Sequence, residues 1–323
     1  MNEQAPSPTA FHREFSDFDS FEAAASGWKL DFLQLDPGPF KAALTQVMTG
    51  QVVITRCFLG RKILQRGETP PGFRTFGFAT KNQLDLKWRG HQVGPGHLMV
   101  FPPGHSLESV SLPGFDAFAI SISEDRLEGL AAAAGKESIN AILPRTDLLS
   151  IPDDKLSALR DLTREILAEA IDPATRPANP GLIQKLEQTF VEQLLDAMAA
   201  GSEIENRWED SPSRSEGFRR ALGIMKERAD DAIPISEVRE HAGVSERTLR
   251  YAFRDAYDMS PKAYLHLLRL NRFRLELLRK PDQAVGQLAQ RWGFRHLGQF
   301  SKDYYRIFGE LPSETRSQQE SRA

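Results

Sequence analysis

The N-terminal part of the chain alternates between short apolar runs and turn sequences. The apolar or alternating runs lie at 52–54, 76–78, 84–88, 98–101 and 115–122. Turn sequences rich in Gly and Pro separate them, at 36–39, 69–72, 94–96 and 102–104. Short strands at this spacing, with no long helices between them, are typical of a small barrel or sandwich whose interior can hold a ligand. The pattern predicts a β-barrel over residues 21–150, preceded by a polar, flexible tail over residues 1–20.

After Ser123 the apolar period becomes that of helices. One stripe comprises Leu156, Leu159, Leu162, Ile166 and Leu167. A second stripe comprises Ile183, Leu186, Phe190, Leu194 and Met198. These stripes predict an antiparallel helical pair over residues 151–200 that buries its apolar face either against the barrel or against a second chain, which would make a homodimer. Residues 201–215 are polar and lack periodicity, as expected of an interdomain linker.

An internal repeat marks the C-terminal part. Gly243, Val244 and Ser245 align with residues 293–295 at an offset of 50. Leu249, Phe253, Tyr257 and Pro261 then align with Phe300, Tyr304, Phe308 and Pro312 at an offset of 51. In each copy a short helix, a Gly turn and a longer helix follow one another, which is the helix-turn-helix arrangement. The pattern predicts helix-turn-helix units at about 235–257 and 284–308, joined by a linker helix over 261–279.

The charge of the chain is distributed unevenly. The net charge is −3, but residues 212–323 hold 21 Lys and Arg against 15 Asp and Glu. Within residues 247–306 the numbers are 13 and 5. This density suits an anionic partner such as nucleic acid, although a solvated helical array without a nucleic-acid role would also carry it. Two recognition helices on one rigid frame would meet successive major grooves about 34 Å apart on one side of double-stranded DNA.

The same residues resemble a known family. The run YLHLLRLNRFRLELL from Tyr264 and the run AVGQLAQRWGFRHLGQFSKDYYRIFGELPSE from Ala284 are similar to the signature of AraC/XylS bacterial transcription regulators. The N-terminal half, with FLQLDPGPF, resembles the cupin-like effector-sensing domains of that family more loosely. The resemblance implies an α+β protein: an N-terminal cupin-like β-barrel with a helical pair, and a C-terminal all-α double helix-turn-helix domain over residues 216–323. It also implies a regulator, most simply an activator that works with RNA polymerase, whose barrel senses a small molecule.

Candidate DNA-contacting residues follow from the outward faces of the two longer helices. In the first unit they are Glu246, Arg247, Arg250 and Tyr251. Arg247 or Arg250 has the geometry to bind the O6/N7 edge of guanine, and the alternative for Arg247 is pairing with Glu240 or a phosphate. In the second unit they are Arg295, His296, Leu297, Gln299, Lys302 and Arg306.

The second unit departs from the family pattern. Short polar residues are usual where Arg295 and His296 stand. Gln299 is therefore the expected base contact of this unit, Leu297 a contact for a thymine methyl group, and Lys302 and Arg306 phosphate anchors.

The barrel offers binding residues but no catalytic set. Metal-binding cupins place two His one residue apart, whereas His91, His97 and His105 are six and eight residues apart, so no metal and no cofactor are expected. The candidate effector residues are Arg56, Arg61, Arg74, Phe76, Phe78 and Trp88. Arginines that face inward would favour an anionic effector, with the aromatic side chains stacking on it, whereas core packing is the alternative for the aromatic residues.

Other chemistries are disfavoured by composition. Cys57 is the single cysteine, so an intrachain disulfide, a thiolate zinc cluster and a CxxC pair are excluded. The start of the chain lacks the order of a secretory signal, and apolar runs are too short to span a membrane, which predicts a cytoplasmic protein. The sequence has no nucleophile-elbow arrangement and no GxxxxGK(S/T) loop, so no catalytic residues are expected. Two alternatives remain open, a cupin-type enzyme with a helical appendage and an architectural DNA-binding protein that responds to no effector.

Overall fold

The computed structural model describes residues 9–25, 28–81, 86–88, 91–101, 106–133, 135, 138, 140, 143, 147–171, 180–204, 212–231 and 233–320. The chain divides into two compact units. Unit 1 comprises residues 1–31, 41–60 and 65–206, and unit 2 comprises residues 32–40, 61–64 and 207–323. The boundary near residue 206 falls inside the expected linker. The two short segments that belong to unit 2 were not expected from the sequence.

Thirteen strands of the described residues form two sheets, and the larger one is antiparallel throughout. The eight-stranded sheet has the order β1-β3-β4-β11-β6-β9-β12-β13, and the five-stranded sheet has the order β2-β5-β10-β7-β8. The strands are β1 (Thr9–Phe15), β2 (Lys29–Gln34), β3 (Ala42–Met48), β4 (Val52–Leu59), β5 (Ile63–Glu68), β6 (Phe73–Ala79), β7 (Leu86–Trp88), β8 (His91–Val93), β9 (His97–Phe101), β10 (Ser106–Ser111), β11 (Phe115–Ser123), β12 (Leu148–Ser150) and β13 (Ser202–Glu203). The strand-rich half that the sequence predicts is thus confirmed, as two sheets.

The expected tail over residues 1–20 is wrong from Thr9 onward. Residues 9–15 form edge strand β1, and every one of them pairs with β3, from Thr9 opposite Met48 to Phe15 opposite Ala42. Helix α1 (Phe18–Ala24) follows, and the Asp17 side chain accepts a hydrogen bond from the Ser20 amide at its start. The backbone of β1 gains a full ladder of pairing although only Phe15 is buried, so its composition gives little signal.

A large core of the described residues lies between the eight-stranded sheet and the helical pair. Helices α2 (Glu124–Ala133), α3 (Asp153–Ile171) and α4 (Pro180–Ala200) follow the strands. The stripe of α3 from Leu156 to Leu167 is buried, as are Phe190 and Leu194 of α4. They pack with Phe76, Phe78, Phe118 and Ile120 of the sheet. The apolar face of the pair is therefore covered by this chain's own sheet, which is the first of the two expected arrangements.

A second cluster joins the two sheets. Trp88 of β7 lies 5.0 Å, centroid to centroid, from Phe101 of β9. Met99 and Leu86 are buried beside them. Small polar side chains are also buried along the eight-stranded sheet. Gln46 donates a hydrogen bond to the Thr55 hydroxyl, and the Thr75 and Ser121 hydroxyls are hydrogen-bonded to each other.

Unit 2 contains helices with the expected order and nearly the expected bounds. They are α5 (Pro212–Glu227), α6 (Ile235–Ala242), α7 (Glu246–Tyr257), α8 (Pro261–Arg279), α9 (Val285–Arg291), α10 (Leu297–Phe308) and α11 (Pro312–Glu320). The bounds of α8 are those predicted, and α6–α7 and α9–α10 occupy the two predicted helix-turn-helix ranges. The expected linker over 201–215 is shorter in the structure, since β13 occupies 202–203 and α5 begins at Pro212, while residues 205–211 lie outside the described part.

Candidate DNA-binding interface

The first recognition helix, α7, is fixed at its start by two local features. Gly243 has a φ of +66°, which lets the chain turn sharply between α6 and α7. The Ser245 hydroxyl then accepts a hydrogen bond from the Thr248 amide at 3.0 Å, so α7 begins with a satisfied N-cap. Leu249, Phe253 and Tyr257 are buried on one face, and this leaves the opposite face to solvent.

The outward residues of α7 form one exposed cationic and aromatic surface. Glu246, Arg247, Arg250 and Tyr251 are all exposed, and Tyr251 keeps 45% of its surface accessible. The guanidinium carbons of Arg247 and Arg250 lie 5.4 and 5.9 Å from the Tyr251 ring centroid. Glu240, the alternative partner of Arg247, lies 3.4 Å from Arg239 instead. The structure thus leaves these four residues exposed and places two guanidinium groups against one aromatic ring.

The second recognition helix, α10, begins differently. Gly293 turns the chain with a φ of +82°, but the N-cap residue His296 makes no side-chain cap hydrogen bond. Phe300, Tyr304, Ile307 and Phe308 form its buried face. The candidate contact residues are exposed: Arg295, His296, Leu297, Gln299, Lys302 and Arg306. Arg295 and His296 precede the first helical residue, so they lie at the turn and not on the helix.

Asp303 organises part of this face and was not identified from the sequence. Its carboxylate accepts a hydrogen bond from the Gln299 amide nitrogen at 3.0 Å and lies 3.8 Å from Arg306. His266 of α8 is 3.3 Å away. Burial lowers the pKa of His266, which opposes the attraction of Asp303 for a proton on the ring. A hydrogen bond with DNA therefore has to compete with Asp303 for the side chain of Gln299.

Helix α8 carries both recognition helices through aromatic contacts. Near its start, Tyr264 stacks on Tyr257 of α7 with the ring centroids 5.0 Å apart. Further along, Phe273 meets Phe300 and Tyr304 of α10 at 4.7 and 5.6 Å. The two helix-turn-helix units are thus attached to successive parts of one 19-residue helix, as the sequence predicts for a rigid spacer.

The comparisons with known proteins agree with this geometry. Residues 239–318 match the family model described as a helix-turn-helix domain. The C-terminal part of this chain is a helix-turn-helix domain. The match begins inside α6, at residue 239, and covers α7 to α10 in full and most of α11.

Two relatives extend the similarity beyond that domain. The chain is 28% identical over 203 residues to a probable thc operon regulatory protein of Rhodococcus erythropolis, covering 61% of this chain and 59% of that protein. It is 24% identical over 239 residues to a XylDLEGF operon transcriptional activator of Pseudomonas putida, covering 72% and 71%. The resemblance of the helix-turn-helix domain to AraC/XylS regulators is thereby confirmed. The matched region spans less than two thirds of the Rhodococcus protein.

One solved structure aligns with most of the chain. The AraC-like transcriptional activator CuxR matches 82% of this chain and 94% of its own, with 13% identity and a TM-score of 0.44.

The six candidate effector residues are not brought together. Phe76 and Phe78 are fully buried in the core under α3 and α4, and Trp88 lies in the cluster between the sheets. Arg61 belongs to unit 2, where it donates to the carbonyl oxygens of Pro37 and Pro39. Arg74 lies 3.4 Å from Glu124. The period of two along a strand correctly predicts which residues share a face of the sheet. Both faces of the sheet are buried, however, so the period does not show which face a ligand would contact.

Arg56 does line a cavity of unit 1, on the helix side of the eight-stranded sheet. The cavity measures about 380 Å³. Its lining is cationic or polar around an apolar floor and comprises His12, Thr45, Arg56, Thr80, Lys81, Phe118, Arg164, Leu167 and Ile171. The Arg56 guanidinium donates to both carboxylate oxygens of Asp116, at 2.9 and 2.7 Å, and Arg164 donates to the Thr80 carbonyl. Arg164 also lies 2.5 Å from Asp161, so two of the three Lys and Arg side chains that line the cavity already have a carboxylate partner.

Two observations concern metal ligands and thiol chemistry in the described residues. No group of three or more His, Cys, Asp or Glu side chains there is arranged to hold a metal ion. Burial raises the pKa of the Cys57 thiol to about 12, so the nucleophilic thiolate is scarce at neutral pH. Across the part of the chain that the structure describes, no helix combines the length and apolarity needed to span a bilayer.

Proposed function

We propose that the protein is a sequence-specific DNA-binding transcription regulator. One observation carries the proposal: α7 and α10 both expose basic side chains and are attached to the single helix α8. In such a frame the exposed N-terminal residues of each recognition helix contact bases, and flanking cations contact phosphates. Arg247, Arg250 and Gln299 are the proposed base contacts, with Leu297 against a thymine methyl group and Lys302 and Arg306 on the backbone.

A binding selection on the full chain tests this function. Protein is incubated with a pool of random duplexes, bound DNA is recovered by mobility shift, and the enriched sequences are compared with the chain's own promoter region. We expect a conserved motif with affinity at least about 1,000-fold above that for random duplex. Binding of all duplexes alike would favour the architectural alternative, and absence of binding at low salt would contradict the proposal.

We further propose that the effector is a small anion with an apolar body, held in the cavity lined by Arg56. The cavity volume is in the range of small-molecule sites. A carboxylate would meet the cationic groups of Arg56, Lys81 and Arg164, while the body of the ligand would lie on Phe118 and Leu167. The proposal makes Arg56 the one member of the sequence-predicted set that contacts the ligand.

Calorimetric titration with a matched pair of probes tests the effector proposal. Phenylacetate carries the charge and phenylacetamide is its neutral counterpart. We expect the carboxylate to bind and the amide to bind at least about tenfold more weakly, with Lys81→Gln and Arg56→Gln removing the difference. Arg13→Gln, a charge removal on the neighbouring exposed strand, is the control. Equal binding of both probes to the wild-type chain would argue against an anionic effector.

We propose activation as the mode of regulation, with RNA polymerase as the partner. The names of both relatives refer to operon regulation, and one is called an activator. Transcription in vitro from the selected promoter, with purified RNA polymerase and with or without phenylacetate, measures the sign directly. Turnover of a probe by the purified, metal-supplemented chain would instead favour the enzyme alternative. The mass of the protein in solution, measured with and without DNA, decides whether it acts as a homodimer.

A further inference from the structure

Residues from the N-terminal half of the sequence donate hydrogen bonds to the carboxyl ends of both recognition helices. The last carbonyl groups of an α-helix have no partner within the helix. At the end of α7, the Tyr257 carbonyl accepts from Lys62 Nζ at 3.0 Å. At the end of α10, the Ile307 carbonyl accepts from Gln34 Nε2 at 2.6 Å and from the Gly38 amide at 3.0 Å. All of these residues belong to unit 2.

The same residues are bonded to the middle of α8. The Asn271 side chain accepts from the Gln34 amide at 3.1 Å and donates to the Gln34 carbonyl at 3.3 Å. Its carboxamide thus pairs with the backbone of Gln34 as a neighbouring strand would. The Gln34 side chain is fully buried, and the two hydrogens of its Nε2 are shared among the carbonyl oxygens of Asp36, Gly38 and Ile307, at 2.9, 2.6 and 2.6 Å.

The two N-terminal segments are fastened to each other as well. The Leu35 amide donates to the Lys62 carbonyl at 2.8 Å, and the Lys62 amide donates to Asp36 Oδ1 at 2.9 Å. Arg61 closes the turn by donating to the carbonyls of Pro37 and Pro39. Residues 34–39 and 61–62, called the brace below, therefore form one bonded piece that reaches α7, α8 and α10 together.

We infer that the brace fixes the position of the two recognition helices relative to each other. A hydrogen-bond donor at each carboxyl end satisfies carbonyl groups of the last turn and so prevents its fraying. At the end of α7, the positive charge of Lys62 also interacts favourably with the negative end of the helix dipole. Gln34, Gly38 and Lys62 are positioning residues in this inference, because they are remote from the N-terminal ends of α7 and α10. One consequence rests on the proposed function: the brace determines which spacings between the two DNA half-sites the protein can bind.

Hydrogen exchange on the full chain tests the brace without DNA. Lys62→Met removes the ammonium group but keeps the side-chain stem. Gly38→Ala disrupts the turn, because the residue has a φ of +119° and an added Cβ would lie 2.5 Å from the Arg61 guanidinium carbon. Gly72→Ala is the matched control, since Gly72 has a φ of +74° with open space around it.

We expect Lys62→Met to raise amide exchange in the last turn of α7 at least about threefold and Gly38→Ala to do so at both helix ends. Lys62→Arg keeps a donor and should restore the wild-type rate. The control should leave residues 254–258 and 305–309 unchanged. Unchanged exchange at both ends in the two brace variants would overturn the inference, whatever the protein does with DNA.

Spacing discrimination then tests the consequence. Duplexes carrying the selected motif, with its two halves moved apart or together by one base pair, are compared with the native spacing. We expect the wild type to prefer the native spacing by at least tenfold and Gly38→Ala to prefer it by less than about threefold. A variant that is merely less stable would lose affinity for all duplexes equally. Preserved discrimination in a variant with raised exchange would also contradict a positioning role.

Discussion

Two exposed cations illustrate how neighbouring side chains give one residue specificity and another affinity. Arg250 lies beside Tyr251 near the start of α7, whereas Lys302 lies one turn into α10 and is exposed. An Arg presented rigidly suits a bidentate contact with guanine, and a solvated ammonium suits a phosphate.

Arg250→Ala is expected to cost about 1–3 kcal/mol on the specific sequence and little on random duplex. Lys302→Ala should weaken all duplexes and reduce the salt slope of log K by about 0.9. Titrations at several salt concentrations measure both effects. Arg254→Ala, in the last turn of α7, is the control for Arg250. An equal loss on specific and random DNA for Arg250→Ala would refute its role as a base contact.

Glu187 of α4 is a buried carboxyl group in unit 1. Its Oε1 has no hydrogen-bond partner among the described residues. Burial raises the pKa of Glu187 from 4.5 to about 7, against the opposing effects of a hydrogen bond with Thr49 and the charge of Arg126. Between these two values the folded state keeps a proton that the unfolded state has lost.

Stability should therefore fall as the pH rises from about 4.5 to about 7, by up to about 1.4 kcal/mol per pH unit from this group. Glu187→Gln should remove this contribution and raise the free energy of unfolding at pH 8. Urea unfolding at a series of pH values measures it, with the exposed neighbour Glu192→Gln as the control. A pH profile that Glu187→Gln leaves unchanged would show that the pKa of Glu187 is the same in the folded and unfolded states, which would contradict the effect of burial.

At the scale of elements, the two recognition helices differ in their caps. Ser245 caps α7 and His296 leaves α10 without a side-chain cap. Ser245→Ala should destabilise unit 2 by about 1 kcal/mol, and His296→Ser should stabilise it by a similar amount, because Ser supplies the missing acceptor. Denaturant midpoints of the full chain test both. A destabilising effect of His296→Ser would show that the imidazole makes a more valuable contact than a cap.

Arg274 of α8 forms a buried ion pair with Glu310, which lies in the turn before α11, and it also contacts Thr315 of α11. Arg274 is 7% exposed and donates to Glu310, to the Tyr304 hydroxyl and to Thr315. Glu310→Gln should cost about 3 kcal/mol, because the buried guanidinium loses its counter-charge. The exposed pair of Glu216 with Arg220 provides the control, where Glu216→Gln should cost less than about 0.5 kcal/mol. Unfolding in urea distinguishes these magnitudes, and equal costs would contradict the role of burial.

The periodicity of apolar residues was enough to predict the elements whose structure depends mainly on neighbouring residues in the sequence. The bounds of α8 follow from a strong apolar stripe, and the Gly turns from a backbone conformation that Gly adopts readily. Edge strand β1 was missed because its pairing with β3 supplies backbone hydrogen bonds that leave no apolar pattern. The contact of Gln34 with Asn271 joins residues 237 positions apart, and no local pattern records it. Asp303 was missed for the same reason, since its partner His266 lies on another helix.

For the whole molecule, the frame of α7, α8 and α10 predicts a footprint. Hydroxyl-radical cleavage of the selected duplex should show two protected patches centred about 10–10.5 base pairs apart on one side of the DNA. Replacing α10 contacts by Gln299→Ala and Lys302→Ala together should remove one patch and leave the other. A single patch with the wild-type chain would mean that only one recognition helix enters a groove.

The scattered make-up of unit 2 has a consequence for how such proteins can be recombined. A gene fusion that exchanges the portion downstream of residue 207 transfers α7, α8 and α10 but leaves behind the partners of their carbonyl and carboxamide groups. The transplanted portion then meets whatever its new host carries at positions 34–39 and 61–62. Compatibility between donor and recipient thus depends on eight residues near the beginning of the recipient chain. Exchanging those residues together with the C-terminal portion should restore the function of a hybrid that is otherwise inactive.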